Sequence, residues 1–268
     1  MKTLPRSFYA EHSLAFPPQE AELAKYVVHP NVVRFLEVLQ TPDAISLVQE
    51  ECRGGDLFEC LQRVEIFPEF LVRCLFKDLL SGVQYLHGEH IAHRDLKAEN
   101  CVLGLEGTLR IADFGNATRF SPGQLFSEFH SHLSVAPPEI LLCTPYDAPP
   151  IDVWAMGVLL YDMVMGDLPN CQELQRGFHE DTLTVEFASL ITQILHENPG
   201  KRASLSEVAA SDWLSLPARL APNLNVVLVS QKVPSPTKVP EPGNPLPTAL
   251  QNRLIREFEG ILSADMGF

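Results

Sequence analysis

A chain of 268 residues, 46% hydrophobic and 20% charged, has the composition of an ordinary globular protein, which excludes a chain disordered throughout. Its length gives room for one large domain or two small ones, with a core that needs no covalent staples. Twenty Lys and Arg against 34 Asp and Glu leave a net charge of −14, a field that repels phosphate backbones and anionic lipid, so neither nucleic acid nor a membrane is expected as a partner.

In chain order, residues 19–27 read as a helix opened by Pro17 and Pro18, and residues 32–39 and 45–48 as strands, a small α+β piece. From Gly55 to Leu214 the apolar period turns helical: Leu57, Cys60 and Leu61, then Leu71, Leu75, Leu79, Val83 and Leu86, recur three and four apart. Two short strands, 100–103 and 108–111, interrupt it around a Glu106-Gly107 turn. Past Pro217 the composition changes. Residues 233–247 carry six prolines, each fixing its own φ and lacking an N–H, and predict a linker. Beyond it Leu250, Leu254, Ile255, Phe258, Ile261 and Leu262 predict a short amphipathic helix, docked on its own domain or offered to a regulatory protein.

Six cysteines (Cys52, Cys60, Cys74, Cys101, Cys143, Cys171) include no C-x-x-C pair and are expected as reduced core hydrophobes in a cytoplasmic compartment. The N-terminal residues hold no apolar run of signal-peptide length, and the apolar stretch 153–165 is interrupted by Asp162 and too short to span a bilayer.

The chemistry is concentrated in His93-Arg94-Asp95-Leu96-Lys97-Ala98-Glu99-Asn100, with Asp113-Phe114-Gly115 beginning thirteen residues after Asn100. A carboxylate on a loop, a lysine two residues on, an amide before a strand and a second carboxylate after the next strand suit a magnesium-phosphate site. Mg²⁺ takes one or two protein carboxylates plus phosphate oxygens, and Asp113 with Asn100 supplies such a set. Asp95 is then free to accept a hydroxyl proton.

At these residues the chain resembles the catalytic domain of eukaryotic protein kinases. The resemblance extends from about Lys2 to Leu214. Pro137-Pro138-Glu139 stands where the family has Ala-Pro-Glu, Arg202 where it keeps the arginine that pairs with that glutamate, and Asp152-Val153-Trp154 at the start of its long central helix. Local phrasing such as GGDLFECL and QYLHGEHIAHRDLKAEN is similar to the calcium/calmodulin-dependent group, and most like its testis-specific serine kinase branch.

The resemblance implies an α+β, two-lobed fold: a truncated small lobe and hinge over 1–52, a mainly helical large lobe over 53–216, and a proline-rich linker with a terminal helix over 217–268. It implies a protein serine/threonine kinase that uses ATP and Mg²⁺ on a protein substrate, with Asp95 as catalytic base and Lys97 on the transferring phosphate. Asn100 and Asp113 would hold the metal. Lys2, eighteen residues before Glu20, would form with it the family's phosphate-binding ion pair. Glu50 and Cys52 would bond the adenine through their main chain, behind a Gln49 gatekeeper, and Asp56 would meet the ribose. Arg94 resembles the arginine of kinases switched by a phosphate on the activation segment, where Thr118, Ser121, Ser127, Ser131 and Ser134 are available.

Three features depart from the family. No G-x-G-x-x-G is present to cover ATP phosphates. Lys2, beside the first methionine, is expected to have no strand to hold it, and the small sheet to have an open edge, as in a fragment or a truncated homologue. Ser131-His132 replaces the Gly-Thr or Gly-Ser of the activation segment. The alternative reading is therefore a non-catalytic pseudokinase acting as a binding scaffold. His93 and Phe114 are expected to pack in the core, and His130 with His132 lacks a third ligand for zinc.

Overall fold

The computed structural model describes residues 1–11, 16–63, 67–128, 136–169 and 184–216. The proline-rich segment and terminal amphipathic helix of 217–268, together with Cys171, His130, Ser131, His132 and Ser134, lie outside the described residues.

Strands β1 (Lys2–Pro5), β2 (Phe35–Gln40) and β3 (Ala44–Gln49) form an antiparallel sheet in the order β1-β3-β2. The central strand buries Ile45 and Leu47 by strand alternation. Lys2 therefore does have a strand, contrary to the sequence reading: it lies opposite Leu47 and shares its face with buried Leu4, which anchors the strand in the core. Thr3, on the other face, meets the Ser46 hydroxyl at 3.0 Å. Pro5, which has no N–H, is tolerated because β1 is an edge strand.

Helix α1 (Arg6–Glu11), which the sequence did not announce, is followed by α2 (Gln19–Leu23). The second helix is shorter than the predicted 19–27. One further helical bond, from Val27 N–H to the Leu23 carbonyl, extends its turn, and then the Val28 N–H leaves the helix for the Tyr85 hydroxyl at 3.0 Å. Asn31 fastens the next segment to the large lobe through its amide on the Leu109 carbonyl, at 3.0 Å, and its own carbonyl on the Ile111 N–H, at 2.9 Å.

The large lobe is built on α3 (Leu57–Arg63), α4 (Glu69–Gly88) and, later in the chain, α6 (Ala148–Met165). The predicted stripe of Leu71, Leu75, Leu79, Val83 and Leu86 is buried along α4. Between α4 and α6 run β4 (Ile91–Ala92), β5 (Cys101–Leu103), β6 (Leu109–Ile111), β7 (Thr118–Arg119), β8 (Leu125–Phe126), α5 (Pro138–Leu141) and β9 (Tyr146–Asp147). β5 pairs with β6 as the sequence predicts, with Asn100 placed instead in a short 3-10 turn, Ala98–Asn100. The two-residue pairs β4 with β7 and β8 with β9 carry no period that a sequence reading could detect.

Helices α7 (Val185–Ile194), α8 (Leu205–Ala209) and α9 (Asp212–Ser215) close the lobe. Gly157 is required where α6 meets α7, since a Cβ there would overlap Ile194 Cγ2. No helix among the described residues is long and apolar enough to cross a membrane.

Candidate active site

The loop from β4 to β5 carries Asp95, and its shape is set from below. Arg94 has φ +60°, a conformation disfavoured for a side chain larger than glycine. Asp152, fully buried at the start of α6, holds it there: one carboxylate oxygen accepts from Arg94 N–H at 2.7 Å, the other from His93 N–H at 2.8 Å and from His87 Nε2 at 2.8 Å. Burial opposes the Asp152 charge, but the His87 hydrogen bond and these neighbours outweigh it and hold its carboxyl below the ordinary range.

His93, also fully buried, donates from Nε2 to the Ala112 carbonyl at 3.0 Å and accepts the Asp95 N–H at Nδ1, 3.3 Å away. It thus serves the core, as expected. Asp95 is then fixed by Asn100, whose amide nitrogen donates to the Asp95 carbonyl at 2.8 Å and to its Oδ2 at 3.2 Å. Lys97 Nζ stands 3.4 Å from the same Oδ2. The Ala112 N–H bonds the Asn100 carbonyl at 2.8 Å, which ties this group to the neighbour of Asp113.

Asp113 also has positive φ, +57°, and its Oδ1 accepts from the Gly115 N–H at 3.2 Å. A Cβ at Gly115 would lie 3.2 Å from that oxygen and 3.5 Å from Lys2 Nζ, so a side chain there would crowd both. Lys2 Nζ donates to Asp113 Oδ1 at 2.7 Å and to both Glu20 oxygens at 3.0 and 2.8 Å. The expected Lys2–Glu20 pair therefore forms, with Asp113 as a third member.

The three charges respond differently to their surroundings. Burial dominates at Glu20, which is 2% exposed, and raises its carboxyl above the ordinary range despite Lys2. At Asp113, half-exposed, burial is outweighed by the Lys2 ammonium, the Gly115 N–H and His93, and the carboxyl is held below its usual value. At Lys2 burial is likewise outweighed, by the two carboxylates, and the ammonium is held above its usual value. Phe114, the next residue, is fully buried between Phe35, at a ring separation of 6.0 Å, and His93, at 5.2 Å.

The strand-to-helix connection behaves more locally. Glu50 N–H bonds the Arg34 carbonyl at 2.9 Å, and its carboxylate takes the Arg34 N–H at 2.8 Å and Arg110 at 3.3 Å. The Cys52 thiol is pushed up by burial, with Arg110 opposing. Gly54 lies against β5: its N–H bonds the Leu103 carbonyl at 2.9 Å, and a Cβ would sit 2.6 Å from that oxygen. Asp56, expected at a ribose, uses Oδ1 to accept the Glu59 N–H at 2.7 Å and so caps α3. Glu50 thus bonds Arg34 and Arg110, Cys52 meets Arg110, and Asp56 bonds the first turn of α3.

Further down, Arg202 bonds Glu139 through two nitrogens at 2.7 and 3.0 Å, both side chains buried, and reaches the carbonyls of Pro150 and His196. On the activation segment Thr118 is buried, whereas Ser121 and Ser127 are exposed. The sequence reading missed His87 and the anchoring role of Asp152. The signal for both was within the quoted stretches, but nothing in it joins positions 65 residues apart.

The donor set suits magnesium. Asn100 commits its amide nitrogen to Asp95, which leaves its oxygen as the acceptor, and Asp113 is an ionised, half-exposed carboxylate. A small antiparallel sheet lies over a helical lobe, and a lysine, an amide and several carboxylates gather at their junction, a donor set that suits a phosphate group together with its metal.

The chain belongs to the protein kinase domain family, whose model matches residues 1–214. It is 37% identical over 206 residues to sperm motility kinase 2B of Mus musculus, covering 73% of this chain and 43% of that protein. It is 34% identical over 225 residues to sperm motility kinase 1 of the same species, covering 80% and 46%. To the SNF-related serine/threonine-protein kinase of Homo sapiens it is 35% identical over 231 residues, covering 80% and 30%. The chain thus spans less than half the length of these curated relatives. Protein kinase domains generally use ATP and Mg²⁺.

Proposed function

We propose that this chain is a protein serine/threonine kinase that transfers the γ-phosphate of ATP to a Ser or Thr hydroxyl of a protein. The observation that carries the reading is the convergence of Asp95, Lys97 and Asn100 with Asp113, Lys2 and Glu20, six residues drawn from four separate stretches of chain. Asp95, oriented by Asn100, accepts the hydroxyl proton. Lys97 offers its cation to the transferring phosphate, and Lys2, steadied by Glu20, offers another to the nucleotide phosphates. Asn100 and Asp113 would hold Mg²⁺, which when bound supplies charge neutralisation at the phosphates. Glu50 and Cys52 offer main-chain groups to the adenine. The proposed compartment is the cytoplasm, supported by cysteine usage without paired spacing. The apolar spacing at 250–262 supports a regulatory contact through the tail.

A scaffold reading is favoured by one observation: the Lys2 ammonium sits 2.7 Å from Asp113 and already neutralises the carboxylate a metal would use. Phosphate transfer from labelled ATP to a basic protein substrate, with Mg²⁺, separates the two. The kinase reading expects transfer by the purified chain that is lost in Asp95→Asn. Folded protein without transfer in either form would leave the scaffold.

A further inference from the structure

We propose that Tyr146 is a positioning residue that fastens the activation segment to the catalytic loop through Arg94. The inference rests on the kinase reading for its effect on rate, and on geometry alone for the fastening.

Arg94 immediately precedes Asp95, and its guanidinium meets uncharged partners in the structure. Nε donates to the Asn116 carbonyl at 2.9 Å, Nη1 to the Tyr146 hydroxyl at 3.3 Å, and the group lies 5.5 Å over the Phe126 ring. The Tyr146 hydroxyl in turn donates to the Glu128 carbonyl at 2.7 Å. Tyr146 is 3% exposed, and β9 places it opposite Phe126 on β8, with the two rings 6.0 Å apart. One arginine therefore grips the chain at Asn116, just after Asp113-Phe114-Gly115, and by way of Tyr146 at Glu128, twelve residues on.

The main chain of Arg94 is held at φ +60° by Asp152, so its backbone is anchored in the large lobe while its side chain holds the segment. A hydroxyl that accepts from a guanidinium and donates to a carbonyl does what no apolar ring can, and hydrogen bonds to charged groups are stronger than neutral ones. Among the described residues the fastening is thus made by an uncharged group. Loss of the hydroxyl frees the Glu128 end of the segment while leaving the Arg94–Asn116 bond and the Phe126–Tyr146 ring packing in place.

The test uses the full chain and the variants Tyr146→Phe, Arg94→Met and the double variant. Hydrogen exchange over the peptide amides of 116–128 reads the fastening without requiring activity. Faster exchange is expected there in Tyr146→Phe, with α4 and α6 unchanged. Steady-state kinetics should show kcat down about tenfold with the KM for ATP unchanged, and the double variant no slower than Arg94→Met alone, since the hydroxyl acts through that arginine. Unchanged exchange at 116–128, or losses that multiply in the double variant, would overturn the proposal. If the parent protein transfers no phosphate but the exchange change appears, the fastening stands and the kinase reading falls.

Discussion

Two sets of charges hold this domain, and they are built on opposite terms. At the lobe junction Lys2, Glu20 and Asp113 have side chains 37%, 2% and 50% exposed, so two of the three members face water. In the large lobe, Arg202 and Glu139 are 1% and 7% exposed and locked in a two-pronged bond. A buried pair is rigid, because parting it strands a charge in a poor dielectric. A half-exposed cluster can exchange partners at little cost, since water screens each charge as it leaves. The large lobe therefore holds its shape at Arg202 and Glu139, whereas at the junction Lys2 and Asp113 are open to water.

The largest effect is expected where the charges are fixed. Arg202→Met leaves the buried Glu139 carboxylate without its cation and takes the guanidinium from the Pro150 carbonyl and the Trp154 ring, and should destabilise the domain by about 3–5 kcal/mol, read as a lowered urea midpoint. The double change Arg202→Met with Glu139→Leu should recover most of that loss. A small effect of the single variant would remove the distinction between the two regions.

Asp113→Asn should invert that result. Its side chain is half-exposed, so unfolding midpoints are expected to move by less than about 1 kcal/mol. Phosphate transfer should fall by about 10²–10³-fold, the scale of losing one group aimed at developing charge. Equal loss of stability and rate would mean that the residue serves the fold.

These expectations also show where the sequence was legible. The large-lobe helix α4 was readable because its apolar residues repeat along one face, and the Lys2–Glu20 pair because eighteen residues match a known separation. The strand at Lys2 was not readable. It depends on Leu4 finding the sheet core and on pairing with Leu47, contacts between residues about forty apart that no local period encodes. For the same reason the contact of Lys2 with Asp113, across 111 residues, and that of His87 with Asp152 were invisible. Asp56 also caps α3 by accepting the Glu59 N–H, a local role that the sequence reading did not assign to it.

A smaller effect, and one confined to the junction, is expected from Lys2→Met. Burial already raises the Glu20 carboxyl, and losing the ammonium that opposes it raises it further, so that protonation can relieve part of the unpaired charge. Stability should drop by about 1 kcal/mol or less, while the KM for ATP rises about tenfold as one cation is withdrawn from the phosphates. A loss as large as that of Arg202→Met would show that the junction is as rigid as the lobe below it.

The smallest effect is a change of slope with pH. Asp113, with its folded carboxyl below the ordinary 3.8, contributes stability that is present above that value and lost as pH falls through the lower folded one. Glu20 has the reverse sign. Its folded carboxyl lies above the ordinary 4.5, so it disfavours the folded state at neutral pH, and acidification relieves that cost. The two carboxylates on one ammonium therefore offset each other in the acidic range. Removing Asp113 also removes a like charge from Glu20, which lessens the second effect. The stability curves of the parent and Asp113→Asn, followed by urea unfolding from about pH 7 to about pH 2, should converge only below the ordinary 3.8 of Asp113, after a small widening where Glu20 takes up its proton. A gap that stays constant through the acidic range would mean that the ionised form of Asp113 adds no stability, and would leave the Lys2 ammonium held by Glu20 alone.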